Sequence, residues 1–322
     1  MRFLARRLAH AVLLLLAVSF LSFALLQLTP GDFFDGLRLN PEISTQTIQG
    51  LRAEYGLDRP LPVRYERWVA ALLHGQLGFS LAYKSPVGPL LHARAWNTLL
   101  LTGTATLLSW LMAIPIGIWS ATAKGKWPDR VSGLATSTLL TIPDLLLFLL
   151  LLLLAARTGW FPSGGMVSAA ADANAGFWAS ALDIAKHLVL PAAALALVAL
   201  PALVRHIRSS MIEVLASPFI RAARAHGISR MRILFRYALP VAANPLISLF
   251  GLSIAGMLSA SALAEVVLSW PGLGPLLLES VLARDVYVVA GTVMVAAVFL
   301  IGGNFLADLI LFAIDPRIRI ES

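Results

Sequence analysis

The 322-residue chain is predicted to be an all-α membrane protein with six transmembrane helices and a folded external stretch between the first two. Composition is the first of three observations behind this. The chain is 58% hydrophobic and only 13% charged, with a mean hydropathy of +0.81, more apolar surface than a soluble chain can place. Second, six apolar runs approach the roughly 20 residues that cross a bilayer: about Leu8–Leu28, Trp96–Ala123, Val131–Ala156, Lys186–Leu203, Val241–Leu268 and Val288–Ile314. Third, the basic residues sort by side. Fifteen of the 25 fall on the face that also holds both termini, and seven of the other ten sit in the long first loop, where the positive-inside rule has least force. Both termini are therefore expected in the cytoplasm.

The first run follows Arg2, Arg6 and Arg7. Ser22-Phe23-Ala24 fits a signal-peptidase site, but the run is long enough to span and nothing after it reads as a mature soluble domain, so residues 1–29 are predicted to stay as an uncleaved first helix. Residues 30–95 form the external domain, cut into short pieces by Pro60, Pro62, Gly75, Gly78, Pro86, Gly88 and Pro89. One piece reads as an amphipathic helix, with Val63, Trp68, Val69, Leu72 and Leu73 on one side and Arg64, Glu66 and Arg67 on the other. The helical core, 96–314, follows. KGKWPDR joins spans two and three, and an external stretch from about 157 to 186 precedes an alanine-rich fourth span between Pro191 and Pro201. Gly251, Ala255 and Ser259 give the fifth span a seam on which helices approach closely. GLGPLLLESVLARD is too short to span and should lie on the outer face, and residues 315–322 make a cytoplasmic tail.

What is missing excludes several functions. The +8 charge and pI near 10.4 belong to membrane-flanking loops, since no aromatics interleave the basic residues as a nucleic-acid site requires. With no cysteine, disulfides and thiol nucleophiles are excluded, and the six histidines show no metal-ligand spacing. Gly125-Lys126 is followed by Trp127, so there is no phosphate-cradling loop, and neither a G-x-S-x-G elbow nor H-E-x-x-H occurs. No catalytic residue and no cofactor are expected in this chain.

Three acids lie within spans, where each costs about 2.5–3.5 kcal/mol at a helix centre. They are Asp144 after Pro143, Glu265 before Ser269-Trp270-Pro271-Gly272, and Asp308 one turn after Asn304. Each either makes an interhelical hydrogen bond, lies close enough to the headgroups to stay wet, or lines a passage that favours a cationic or zwitterionic cargo. An ion-coupled secondary transporter using the same three acids is the rival reading.

The organising stretch is 213–240, EVLASPFIRAARAHGISRMRILFRYALP, the long polar interruption in the apolar second half, carrying five arginines and one acid. Ser217 and Pro218 suit a helix start, Gly227 a left-handed stop, and Ser229 a second start. The apolar stripe Phe219, Ile220, Ala223, Ile228, Ile233, Leu234 needs a surface to dock on.

Ala222-Ala223, Gly227 and Tyr237-Ala238-Leu239-Pro240, at spacings of three and nine residues, resemble the E-A-A loop of ABC importer permeases, with Arg221 in place of Glu and Tyr237 in place of Ile. Arg221, L-D-R-P-L-P-V-x-Y, G-x-L-G-x-S, the S-W-P-G-L-G segment after Glu265 and the Asp315-Pro316-Arg317 ending resemble the dipeptide, oligopeptide and nickel branch. The resemblance covers essentially the whole chain. It implies a type I ABC importer permease fold in a bacterial inner membrane, importing peptides or a similar small solute such as a nickel chelate. It implies that Arg221, Ala222, Ala223, Arg224, Ala225, His226, Gly227, Ile228 and Ser229, within a coupling loop spanning 205–240, meet a separate ATPase. Trp270, Pro271 and Gly272, with the three acids, would belong to the pathway or its gate. The implied partners are a second permease, expected to be a paralogue, two ATPase subunits that bind ATP and Mg²⁺, an extracytoplasmic solute-binding protein and membrane lipid, with no nucleic acid.

Overall fold

The computed structural model describes residues 2–28, 31, 33–35, 44–54, 56, 58–168 and 176–314. Its elements are α1 (Arg2–Leu28), α2 (Thr45–Glu54), α3 (Leu61–Leu73), a two-stranded antiparallel hairpin of β1 (Phe79–Ser80) and β2 (Ser85–Pro86), α4 (Val87–Thr122), α5 (Trp127–Thr141), α6 (Asp144–Thr158), α7 (Phe177–Leu215), α8 (Pro218–Ala225), α9 (Arg230–Arg232), α10 (Leu239–Val267), α11 (Leu273–Leu282) and α12 (Val286–Ile314). A 3-10 turn covers Phe33–Asp35, and a π-helical turn, Ile233–Ala238, joins α9 to α10. Five of these helices contain runs long and apolar enough to cross a membrane, and α5 with α6 passes the same test only as a pair bent by 99°, which makes six if the pair is one broken span and five if it is a re-entrant loop. Residues Met1–Asn97 with Pro271–Phe299 form one compact unit and Thr98–Trp270 with Leu300–Ser322 a second.

In the first unit, residues 44–86 share their core with spanning helices. Phe23 of α1, Trp68 of α3 and Ala290 of α12 are buried in one cluster. Tyr65 reaches Ser19 at 2.9 Å and donates to the Leu16 carbonyl of α1 at 2.9 Å. The apolar face of α3 is therefore Tyr65, Trp68, Val69 and Leu72, at helical spacing. Expected on that face, Leu73 is 83% exposed and Val63 is also exposed, whereas Arg64 across the helix is half-buried. The face follows the aromatic contacts with α1, which the α3 pattern alone does not reveal.

Asp285 fixes the hairpin to α12. Buried, it accepts Ser80 Oγ at 2.7 Å and the Ala82 amide at 3.1 Å, and also meets the Val288 amide in the first turn of α12. Gly78 takes φ +99, and a Cβ there would lie 3.0 Å from the Tyr287 ring, so conformation and packing both demand glycine. Burial, then the Glu279 carboxylate to which it donates, push the Tyr83 phenol up to about 12, so it remains a donor at neutral pH.

The second unit is built around α7, whose 39 residues rise about 58 Å, far more than a bilayer needs. The fourth span was expected to end near Leu203; the helix runs on to Leu215, so Arg205, Arg208 and Glu213 lie on it and not in a loop. It also begins at Phe177, inside the expected external stretch, and α4 begins at Val87, ahead of the expected start at Trp96. Gly117 of α4 meets α7 so closely that a Cβ would come within 2.7 Å of Ile207.

The third span is not one bent helix. α5 and α6 meet at 99°, because proline disfavours helical geometry in the residue before it and supplies no amide hydrogen. Ile142 is extended and Pro143 takes ψ 140, which leaves Asp144 as the first residue of α6. Exposed aromatics mark two levels of this unit: Trp119 and Trp127, 6.5 Å apart, beside Lys124 and Lys126, and Trp160, Phe177 and Trp178 around the α6–α7 connection. Amphipathic rings gather in this way at membrane–water boundaries.

Candidate functional site

The stretch 213–240 folds as a helical hairpin. Helix α8 ends in a Schellman motif: Gly227 at φ +75, its amide on the Arg224 carbonyl at 3.0 Å, and the Ile228 amide on the Ala223 carbonyl at 3.2 Å. Ser217 and Ser229 hold the N-cap positions of α8 and α9, but neither side chain caps its helix, and Ser217 Oγ donates to the Val214 carbonyl of α7 at 2.6 Å. The chain then continues helically through the π turn into α10. That wider turn precedes Pro240, whose ring would crowd the Arg236 carbonyl in an α-helix and which has no amide hydrogen to give.

The apolar stripe does not wait for a partner. Ile220, Ala223 and Ile233 are buried in this chain's own core beside Val204, Ile207 and Met211, with Ile228 and Leu234 packed against them; of the stripe, only Phe219 is exposed. Ala223 is thus an inward residue and no part of an outward docking face. The outward face of the hairpin is Arg221, Ala222, Arg224, Ala225, His226 and Ser229.

Beneath the hairpin lies a brace that sequence reading missed. Arg208 of α7 grips Asp129 at the start of α5 in bidentate fashion, Nε to Oδ1 at 2.5 Å and Nη2 to Oδ2 at 2.8 Å. Ser120 Oγ at 2.7 Å and the Gly125 amide at 2.8 Å complete the shell around an aspartate that is 8% exposed. The available signal was W-P-D-R, a proline and an acid in what proves to be a helical first turn. Arg208→Met leaves that carboxylate buried with only two donors, and the expected cost is about 3 kcal/mol. A thermal melt in detergent should show the loss, and Asp129→Asn in the same chain should restore most of it.

The pathway candidates part company. Asp144 is exposed on a half-open cavity of about 520 Å³ between α6, α7 and α10, where among the described residues it is the one charged side chain of the lining, with Ser253 and Ser259 the others that carry a polar group. Glu265, in contrast, is fully buried and accepts Thr98 Oγ1 at 2.7 Å, the interhelical alternative. Asp308 lies on α12, but its side chain falls outside the described residues. Trp270 is buried among Phe148, Leu101 and Leu195. It follows a second Schellman end, in which the left-handed position is Ser269 at φ +56 and the Trp270 amide meets the Glu265 carbonyl at 2.8 Å. In the first unit, the Pro271 carbonyl accepts the Asn97 side-chain amide at 2.8 Å, and Gly272 is the N-cap of α11. Of the predicted seam on α10, Gly251 is buried whereas Ser259 faces the cavity.

Residues 113–320 match the family described as "Binding-protein-dependent transport system inner membrane component", and residues 1–88 match that family's N-terminal region. The chain is 35% identical over 319 residues to the oligopeptide transport system permease protein AppB of Bacillus subtilis (strain 168), covering 98% of this chain and 99% of AppB. It is 33% identical over 339 residues to the dipeptide transport system permease protein DppB of Escherichia coli (strain K12), with 99% of each chain covered. Among solved structures, an inward-facing form of the MetNI methionine ABC transporter superposes with a TM-score of 0.57 over 70% of this chain and 96% of its own, at 18% identity, a likeness of fold. The chain therefore belongs to the binding-protein-dependent transport system inner membrane components: it is a multi-pass permease subunit of an ABC importer, not an enzyme, and it works with separate ATPase and solute-binding subunits.

Proposed function

We propose that this permease imports short peptides and forms half of the translocation pathway, with a second, paralogous permease closing the other half. The observation that carries this is the half-open cavity with Asp144 on its wall. Leu252, Gly256, Ser259 and Leu263 line it from an exposed face of α10 at helical spacing, as suits a wall completed by another subunit. A carboxylate in a largely apolar cavity, with only two serines beside it among the described lining, favours a cargo with a cationic group, such as a peptide amino terminus. The names of relatives, oligopeptide and dipeptide permeases, support the same class.

On this reading the α8 end of the bundle and both termini face the cytoplasm, the outward face of α8 seats the ATPase, and ATP and Mg²⁺ are bound there and not in this chain. The Schellman turn and the buried inner face make the hairpin a rigid extension of α7 and α10, so movement of the ATPases reaches the cavity walls. The test is to purify the tagged chain from its native membrane in mild detergent and reconstitute what comes with it. A second permease and ATPase subunits are expected, together with ATP-dependent uptake of labelled di- to pentapeptides in the presence of the binding protein. If the complex assembles but takes up nickel chelates and no peptide, the substrate assignment fails. Recovery without any ATPase, even after crosslinking, defeats the coupling role.

A further inference from the structure

A second cavity, of about 860 Å³, opens where the α4–α5 connection, the end of α7 and the α8–α9 hairpin meet. Among the described residues four cations line it, Lys124, Lys126, Arg224 and Arg230, and no acid does. Two carboxylates lie close to it along the chain: Asp129 is held by Arg208, Ser120 and the Gly125 amide, and Glu213, next to Ile212 on α7, is exposed and outside the lining. Arg224 Nη2 points towards the Leu215 carbonyl at 3.5 Å, at the negative end of α7. The rest of the lining is largely aliphatic, with Leu215 and Ile228 on its walls. A ligand suited to both must join an anionic head to an apolar body. Trp127, adjacent to Lys126 and 67% exposed, pairs with Trp119, and rings of this kind settle at headgroup depth. Basic pockets at that level hold anionic headgroups, each nearby cation adding to the attraction.

We propose that this cavity binds the phosphate of an anionic phospholipid, with the glycerol and upper acyl chains against its aliphatic wall, so that a lipid sits between the α4–α5 connection and the coupling hairpin. The proposal rests on the membrane placement given above, but its readout is independent of cargo and of ATPase recovery. The full chain, purified in an uncharged detergent, is titrated with dioctanoylphosphatidylglycerol, dioctanoylphosphatidylcholine and inorganic phosphate, and binding is read by native mass spectrometry. The glycerol lipid should bind at least ten-fold more tightly than either other probe. The triple variant K124Q/K126Q/R230Q should lose ten-fold or more of that affinity, while R205Q/R236Q, which removes two exposed arginines outside the cavity, should keep it. Equal binding of the choline lipid, or an unaffected triple variant, overturns the proposal. Inorganic phosphate binding as tightly as the lipid reduces the cavity to an anion site and also overturns it. Release of the lipid when an ATPase subunit docks assigns the cavity to the protein interface and overturns the lipid site in the same way.

Discussion

Asp144→Asn is expected to cut peptide uptake by ten- to a hundred-fold while the variant assembles, binds its ATPases and melts like the wild type. The size follows from the loss of one charge-assisted hydrogen bond to a cationic cargo, about 1.5–3 kcal/mol where water is scarce. Stability should not move. Asp144 is exposed on the cavity, no donor among the described residues holds it, and asparagine keeps its shape at the first turn of α6. Reconstituted uptake at saturating binding protein makes the measurement. A wild-type rate would place Asp144 outside the path of the cargo. Glu265→Gln should behave differently. Thr98 and the buried surroundings hold that carboxylate inside the helix packing, so its effect should show first in the melt and only then in uptake.

Ala222→Asp should abolish recovery of the ATPase subunits, with transport falling below detection. The residue sits on the outward face of α8, so a carboxylate there stays hydrated in the free chain and costs the fold only a few tenths of a kcal/mol of helix propensity. Once the ATPase docks, that charge is desolvated without a partner, a penalty of several kcal/mol, or more than a hundred-fold in affinity. Its neighbour is the control. Ala223→Asp drives a carboxylate into the core beside Ile220 and Ile207, and should instead lower the melting temperature or prevent accumulation of the chain. If both variants keep their ATPases, the hairpin is not the coupler.

The all-helical membrane class and the hairpin with its Gly227 stop were legible in the sequence because apolar length and turn chemistry are local properties. The faces were harder. Pattern alone identifies an apolar stripe on 219–234 but not whether it meets a partner or folds back, and only the position of α7 shows that Ile220 and Ala223 close on Ile207 and Met211. Asp129 and Arg208 are 79 residues apart, so nothing local connects them. Pro143 sits within the third apolar run, but the run's length and composition do not reveal the 99° angle between α5 and α6. Among the three intramembrane acids, residue type gave the same readings for each, and burial separates Asp144 from Glu265.

Helix α7 has a mechanical character that its length alone does not convey. Proline at 201, like Pro191 earlier in the same helix, leaves the carbonyl four residues back without its usual amide partner, so the rod is compliant beside Val198, Ala199 and Ala202, the residues it gives to the cavity. Towards Leu215 the Arg208–Asp129 clamp stiffens it. From Ala202 to Leu215 the arm measures about 20 Å, so a sideways shift of about 3.5 Å at its tip corresponds to roughly 10° of tilt at the soft point. On the proposed coupling role, small strokes at the hairpin would become angular changes in the cavity wall, about a point set by a missing hydrogen atom.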